Sequence, residues 1–294
     1  MQIIAGSNGV KLAKYLAQEH SLEILDYSHM KYPDSEFKIQ IKGKIASKVA
    51  IVQSTSRPVN DSIMELLLLA DALKRAGCKE IIAMVPYFGY GRQVQLTHVN
   101  SSIASSLVIK MIEMSGVNRL ITLDLHNKSI EGVFNIPVNN IGVEKIFFSK
   151  LVENNNSVIV SPDIGSIERC RQCAKVSGSS IAIVNKYRLK DDQCVVDGLV
   201  GDVMGKNCTI VDDIVDSGNT LRLAADLLKK QGASTVEAFI THGVFSGDSA
   251  KNINNSSLDK IYVSDSININ SKHFKNLSIV SSNPAISEEF VKYI

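Results

Sequence analysis

The stretch Cys208–Gly232, CTIVDDIVDSGNTLRLAADLLKKQG, decides the fold. An apolar run, Cys208–Val211, meets two adjacent carboxylates, Asp212 and Asp213. A third acid, Asp216, opens a turn of small residues, Ser217-Gly218-Asn219-Thr220, and an amphipathic pattern follows from Leu221 to Gln231. Strand, small-residue turn and helix form the unit from which an α/β sheet is wound. A turn of this kind at a helix start holds a phosphate through backbone N–H groups and hydroxyls. The three acids beside it need a separate reason, because carboxylates near an anion are unfavourable unless they face hydrogen-bond donors or a cation. A sugar phosphate meets that demand, with its phosphate in the turn and its vicinal hydroxyls donating to the aspartates. A pentose 5-phosphate fits better than a nucleotide's phosphate tail, which has no hydroxyls close by, and a metal ion can share the site. A solvated acidic turn capping a helix is the plainer reading. The full pattern D-D-x-x-D-S-G-x-T, set between an apolar strand and an amphipathic helix, argues against it.

Outward from this stretch, apolar runs recur at Val49–Gln53, Ile81–Val85, Leu120–Leu123, Ser157–Val160, Ile181–Val184 and Val236–Thr241. Helical patterns separate them, at Asp61–Ala76, Ser102–Met114 and Ser166–Ser177. Continuous apolar strands alternating with helices predict mainly parallel sheets covered on both faces, an α/β doubly wound architecture. Ala70–Gly91 and Ala225–Gly247 echo each other: a helix ending in basic residues and a Gly cap, a strand, then a Gly-containing loop. Upstream, AIVQSTSRPVNDS holds the place that TIVDDIVDSGNT holds in the second half. The chain therefore reads as two similar domains, and only the second keeps the acidic turn. Residues 1–143 and 144–276 are the expected domains, with 277–294 packing back on the first. Asn252–Asn276, rich in Asn and Ser, reads as loops around one strand, KIYVSDS.

Composition excludes several classes. The 294 residues are 45% hydrophobic and 21% charged, with a net charge of +2 and no basic block, so no nucleic-acid or anionic-membrane surface is indicated. No apolar run reaches the roughly 18 residues that span a bilayer. The first residues, MQIIAGSNGVKLAKYLAQEH, read as strand, turn and helix rather than as a signal peptide, so a cytoplasmic protein is expected. Of five cysteines, Cys170 and Cys173 form a C-x-x-C inside a helical pattern without a second ligand pair, which reads as ordinary helix packing.

Six segments, in this order, carry a resemblance: IVQSTSRPVNDSIMELLLLADALKRAG, VPYFGYGRQ, ITLDLH, IVSPDIGS, NKYR and VDDIVDSGNT. Together they resemble the ribose-phosphate diphosphokinase (phosphoribosyl pyrophosphate synthase) family along nearly the whole chain. The acidic turn also resembles the binding loop of type I phosphoribosyltransferases. The resemblance implies a type I phosphoribosyltransferase-like fold and transfer of a diphosphoryl group from Mg-ATP to the 1-hydroxyl of ribose 5-phosphate, releasing AMP. No G-x-x-x-x-G-K-[ST] loop is present, so ATP is not held in the usual phosphate-binding loop. The family's adenine segment matches KYPDSEF, which gives Tyr32 as a stacking ring and Asp34 and Glu36 as base-edge acceptors. Arg92 and Gln93 match its nucleotide-contacting pair. His126 and Asp163, each just past a strand, are the implied Mg²⁺ ligands, acting mainly through waters and substrate phosphates. Lys186 and Arg188 alternate onto one face and are assigned, with Arg92, to charge on the transferred group. Asp212 and Asp213 are assigned to ribose hydroxyls, Asp216 flanks the turn, and Ser217, Gly218, Asn219 and Thr220 take the 5-phosphate. A homo-oligomer built from dimers, often a hexamer, is implied, with adenine contacts from a neighbour. The loop after Gln93, VQLTHVNSSIAS, carries Val94 where the family usually has Asp, and no Lys or Arg before Lys110. That departure keeps open a catalytically weak or regulatory relative. A phosphoribosyltransferase, which shares the acidic turn, is a second alternative.

Overall fold

In a computed structural model, residues 1–153, 157–188 and 194–294 are described, with backbone alone for 186–188 and 194–197. The chain forms two units, Met1–Ile141 with Asn283–Ile294, and Gly142–Ser282.

The first unit runs β1 (Gln2–Ala5), α1 (Val10–Glu19), β2 (Glu23–Leu25), β3 (Tyr27–Lys31), β4 (Phe37–Ile41), β5 (Lys48–Val52), α2 (Val59–Arg75), β6 (Glu80–Val85), α3 (Ala104–Ser115), β7 (Arg119–Leu123) and β8 (Val138–Ile141). Its six-stranded sheet has the order β2-β1-β5-β6-β7-β8, every neighbour parallel. Strands β3 and β4 stand apart as a two-stranded antiparallel hairpin. Helix α2 forms where Ile63, Leu66, Leu69, Ala70 and Leu73 recur at helical spacing, with Asp61 in its first turn and Lys74 and Arg75 in its last, matching the helix dipole. These apolar residues join Val108, Ile109 and Ile112 of α3 over Val49, Ile51, Ile81 and Ala83 of the sheet.

The second unit runs α4 (Val143–Ile146), α5 (Phe148–Glu153), β9 (Val158–Ser161), α6 (Ile167–Ser177), β10 (Ser180–Arg188), β11 (Cys194–Val200), β12 (Asn207–Val215), α7 (Asn219–Lys230), β13 (Thr235–Gly243), α8 (Ser249–Asn254), β14 (Lys260–Ser264) and β15 (Leu277–Val280). Its sheet has the order β11-β10-β9-β12-β13-β14-β15, parallel except for β10–β11. Leu221, Ala224, Ala225 and Leu228 of α7 pack over Val158, Ile210, Val236 and Ile261. On α6, Cys170 and Cys173 are buried and form no disulfide, and burial pushes the Cys170 thiol up to about 12, so the C-x-x-C is packing. Helix α9 (Asn283–Phe290) then returns to the first unit, where Asn139 Nδ2 donates to Glu289 Oε1 at 2.9 Å.

Three boundaries differ from the sequence reading. Strand β12 runs through the acids to Val215, because Asp212, Ile214 and Val215 stay in register with β13. Strand β10 likewise continues to Arg188 as an antiparallel ribbon with β11, so Lys186 and Arg188 lie within a strand rather than after one. Leu277–Val280 pairs with β14 in the second sheet, and the returning segment begins at Asn283 rather than at residue 277.

Candidate active site

The second unit brings its acids together against the start of α6. Ser166 Oγ donates to Asp212 Oδ1 at 2.5 Å, and the same oxygen accepts the Asp213 amide at 3.0 Å. Asp213 Oδ1 lies 3.6 Å from Arg169 Nη1, with both side chains at or below 10% exposure. Burial, then the charge of Asp213, raises the Asp212 carboxyl well above the ordinary carboxylate range, against the lowering effect of Ser166. The two acids are thus unlike: one is held by a hydroxyl, the other by a guanidinium.

Beyond them the chain turns into α7. Gly218 caps the helix at φ +76°, and a Cβ there would meet Ile253 Cγ1 at 2.9 Å, so both conformation and space require glycine. Asp216 accepts a short hydrogen bond from Ser246 Oγ, and Asn252 Nδ2 donates to the Ser217 carbonyl at 2.8 Å. Ser217 is exposed, while Asn219 and Thr220 are half-buried in the first helical turn. The first amides of a helix have no partners within it, so a turn of this kind can offer N–H groups and hydroxyls to an anion.

In the first unit, Tyr32, Asp34 and Glu36 form the turn between β3 and β4. The turn closes through the Tyr32 amide to the Glu36 carbonyl at 2.8 Å and the Glu36 amide to Asp34 Oδ1 at 3.1 Å. All three residues are exposed. Arg92 and Gln93 line a second feature, a cleft of about 470 Å³ shared with Pro58, Val59, Asn60, Asp61 and Tyr90. Tyr90 Oη donates to Asn60 Oδ1 at 2.8 Å, which ties this loop to the start of α2. Val94, half-buried, packs against the first core, and Gln95 to Asn100 are exposed.

The remaining assigned residues divide between the units. His126 is exposed just beyond β7, and Asp163 is half-buried beyond β9, where it accepts the Ser166 amide at 3.2 Å. Among the described residues no group of three His, Cys, Asp or Glu side chains forms a metal cage. Taken singly, the His126 imidazole and the Asp163 carboxylate are solvent-reachable donors of a kind that Mg²⁺ held largely by water and phosphate oxygens can accept. Lys186 and Arg188 have only their backbone described; their side chains lie outside the described residues. Sequence reasoning missed Ser166, Arg169 and Glu65. Glu65 offered a signal, as one acid among the apolar positions of α2. Arg169 offered another, as one base beside the buried Cys170.

Comparison with known proteins follows both units. Residues 1–116 match the family model described as the N-terminal domain of ribose phosphate pyrophosphokinase, and residues 195–288 match the phosphoribosyl synthetase-associated domain. The ribose-phosphate pyrophosphokinase of Vibrio parahaemolyticus is 40% identical over 92% of this chain and 87% of its own length. That of Aquifex aeolicus is 37% identical over 98% of this chain and 94% of its own. The crystal structure of phosphoribosylpyrophosphate synthetase from Mycobacterium smegmatis superimposes with a TM-score of 0.90 at 28% identity, covering 99% of this chain and 97% of that one.

Proposed function

The chain belongs to the ribose-phosphate pyrophosphokinase family, and from that premise we infer that it transfers the diphosphoryl group of Mg-ATP to the 1-hydroxyl of ribose 5-phosphate. The products are 5-phosphoribosyl 1-diphosphate, a precursor in nucleotide biosynthesis, and AMP. The observation that carries this reading is the likeness along both units, which a phosphoribosyltransferase sharing only the acidic turn would not have.

On this reading the second unit binds the sugar. The 5-phosphate sits at Ser217–Thr220 on the start of α7, and the ribose hydroxyls donate to Asp212 and Asp213, with Asp216 at the flank. The hairpin turn takes the adenine, with Tyr32 stacking and Asp34 and Glu36 accepting from the base edge. Arg92 and Gln93 meet the nucleotide's phosphate side. Lys186 and Arg188 join Arg92 in opposing charge on the transferred group. His126 and Asp163 would hold Mg²⁺, which when bound neutralises the ATP phosphates. Fixed geometry of the hydroxyl relative to the phosphorus supplies much of the rate, so no strong protein base is required. The exposure of Tyr32, Asp34 and Glu36 supports a further reading, that the turn reaches the nucleotide of a neighbouring copy in a dimer-based homo-oligomer. The cytoplasm, where these substrates are found, is the proposed location; no described helix is long and apolar enough to cross a membrane.

The test is AMP formation from ATP, Mg²⁺ and ribose 5-phosphate. AMP appearing only when all three are present is the expected result. Consumption of 5-phosphoribosyl 1-diphosphate that depends on a free base and not on ATP would overturn it. His126→Ala is expected to raise the Mg²⁺ requirement more than it alters ribose 5-phosphate binding, read by Mg²⁺ titration of turnover.

A further inference from the structure

Glu65 is 1% exposed in the second turn of α2, and a buried carboxylate is tolerated only when donors surround it. Its Oε1 accepts the Tyr27 hydroxyl at 2.7 Å and the Ser7 amide at 3.0 Å, with His29 Nδ1 at 3.4 Å. Its Oε2 accepts Ser7 Oγ at 2.5 Å and Gln53 Nε2 at 2.7 Å. Three separate parts of the first unit converge on one carboxylate: the turn after β1, the end of β5 and the β3 strand. Burial and the neighbouring carboxylate push the Tyr27 hydroxyl upward, which keeps it a donor.

Two of those partners, Tyr27 and His29, belong to the β3–β4 hairpin. That hairpin joins neither six- nor seven-stranded sheet. A lone two-stranded hairpin has little stability in water and needs packing against something else. Here the support is α2. His29 also packs edge-on against Phe37 at 4.8 Å, and Lys31 Nζ lies 3.0 Å from Asp61 Oδ2 one turn before Glu65. Lys31 and Asp61 are each more than 40% exposed, so that pair adds little. The cleft of about 270 Å³ between hairpin and helix is lined by Ser7, His29, Phe37, Ser62 and Glu65 among others. Glu65 is the interior end of this attachment.

We propose that Glu65 is a positioning residue for ATP. Its carboxylate fixes the direction in which the hairpin projects Tyr32, Asp34 and Glu36, without itself touching the nucleotide. The inference rests on the reading of that turn as the adenine contact.

The experiment compares Glu65→Gln, Tyr27→Phe and Tyr32→Ala with the parent, using KM for each substrate and hydrogen exchange of the amides in 27–41. Glu65→Gln keeps the shape but replaces one acceptor by a donor that faces other donors. It is expected to raise KM for ATP about tenfold, with KM for ribose 5-phosphate moving less than about twofold. Tyr27→Phe removes one bond only and is expected to raise KM for ATP about threefold. Both are expected to speed exchange in the hairpin while leaving β5 and β6 protected. If Tyr32→Ala raises KM for ATP but Glu65→Gln and Tyr27→Phe leave it and the hairpin exchange unchanged, the positioning role is refuted and the adenine reading survives. If Tyr32→Ala leaves KM for ATP unchanged, the adenine reading falls and takes the proposal with it. Equal rises in both KM values, with exchange loosened throughout the first unit, would make Glu65 a general structural residue and also overturn the proposal.

Discussion

The turn after β5 and the turn after β12 hold the same topological place, one strand beyond the first in sheets of matching order, yet they are closed in opposite ways. In the first unit Gln53, Ser54, Thr55 and Ser56 are all at or below 4% exposure. Gln53 accepts the Asn8 amide at 2.9 Å and donates to Glu65, and Thr55 Oγ1 accepts the Gly89 amide at 2.7 Å. The neighbouring backbone comes so close that a Cβ on Gly9 would lie 1.8 Å from the Val52 carbonyl oxygen. Amide and hydroxyl groups of the chain itself satisfy this turn. In the second unit Asp212 and Asp213 take the places of Gln53 and Ser54, and Asp216 and the exposed Ser217 follow. One backbone plan therefore serves two ends: neutral side chains turn it into a structural hub, and carboxylates beside a helix start give it the donors and acceptors of the proposed sugar phosphate site.

Arg169→Ala leaves the nearly buried Asp213 without its guanidinium and is expected to destabilise the second unit by about 3 kcal/mol, measured by urea unfolding. A loss below about 1 kcal/mol would mean that the pair does not hold the acidic turn. Asp213→Asn is expected to weaken ribose 5-phosphate binding by about 2 kcal/mol in calorimetry through lost charge-assisted hydrogen bonds. Ser54→Ala, at the matching place in the first unit, is expected to leave that affinity alone; an equal effect from both would erase the distinction between the halves.

A smaller effect is expected in the first unit. The 94–100 loop carries no Lys or Arg. Gln95→Arg, at an exposed position, is expected to raise turnover up to about tenfold with ribose 5-phosphate affinity unchanged. Asn100→Arg is the less favourable partner, because Asn100 sits at φ +65° and a longer side chain there is strained by about 1 kcal/mol. Val94→Asp would place a charge against the first core and lower stability, so the family's usual residue cannot simply be restored. Turnover already at tens per second in the parent would show that the missing charge is supplied elsewhere.

The smallest effect concerns pH. Because the folded-state pKa of Asp212 is raised, the stability it contributes is full below the unfolded carboxyl value and is lost as pH rises through the folded value. Asp212→Asn removes that dependence. The variant should therefore gain on the parent as pH is raised from about 4 toward neutrality in urea melts without ligand. A gap that widens in the parent's favour would mean that Asp212 is stabilised as an anion.

Much of this architecture was legible because continuous apolar runs and their spacing carry it. The strands around Val49, Ile81, Leu120, Ile210 and Val236 stand where apolar periodicity puts them. Polar strands were not legible in the same way. The hairpin YSHMK/FKIQI has no fully buried side chain to mark it, only Tyr27, Ile39 and Ile41 packed partly buried against the first core, and Asn185-Lys186-Tyr187-Arg188 lacks an apolar run in its sequence. Within the site, the acidic turn was readable from local order alone. Ser166, Arg169 and Glu65 were not, because their meaning depends on a contact from 44 (Arg169–Asp213) or 46 (Ser166–Asp212) residues away, or on several such contacts at once.

The return of Asn283–Ile294 to the first unit has a consequence for synthesis. Phe290 is wholly buried there beside His20, and Arg119 stacks over Tyr293 at 4.2 Å. On the ribosome, the partners of those aromatics emerge before the whole of Gly142–Ser282 is made, an interval of roughly ten seconds or more. The later-made unit can finish folding first, while the earlier one waits with an apolar face uncovered. A nascent chain stalled or cut near residue 282 would thus be damaged at its opposite end, in the half that was translated first.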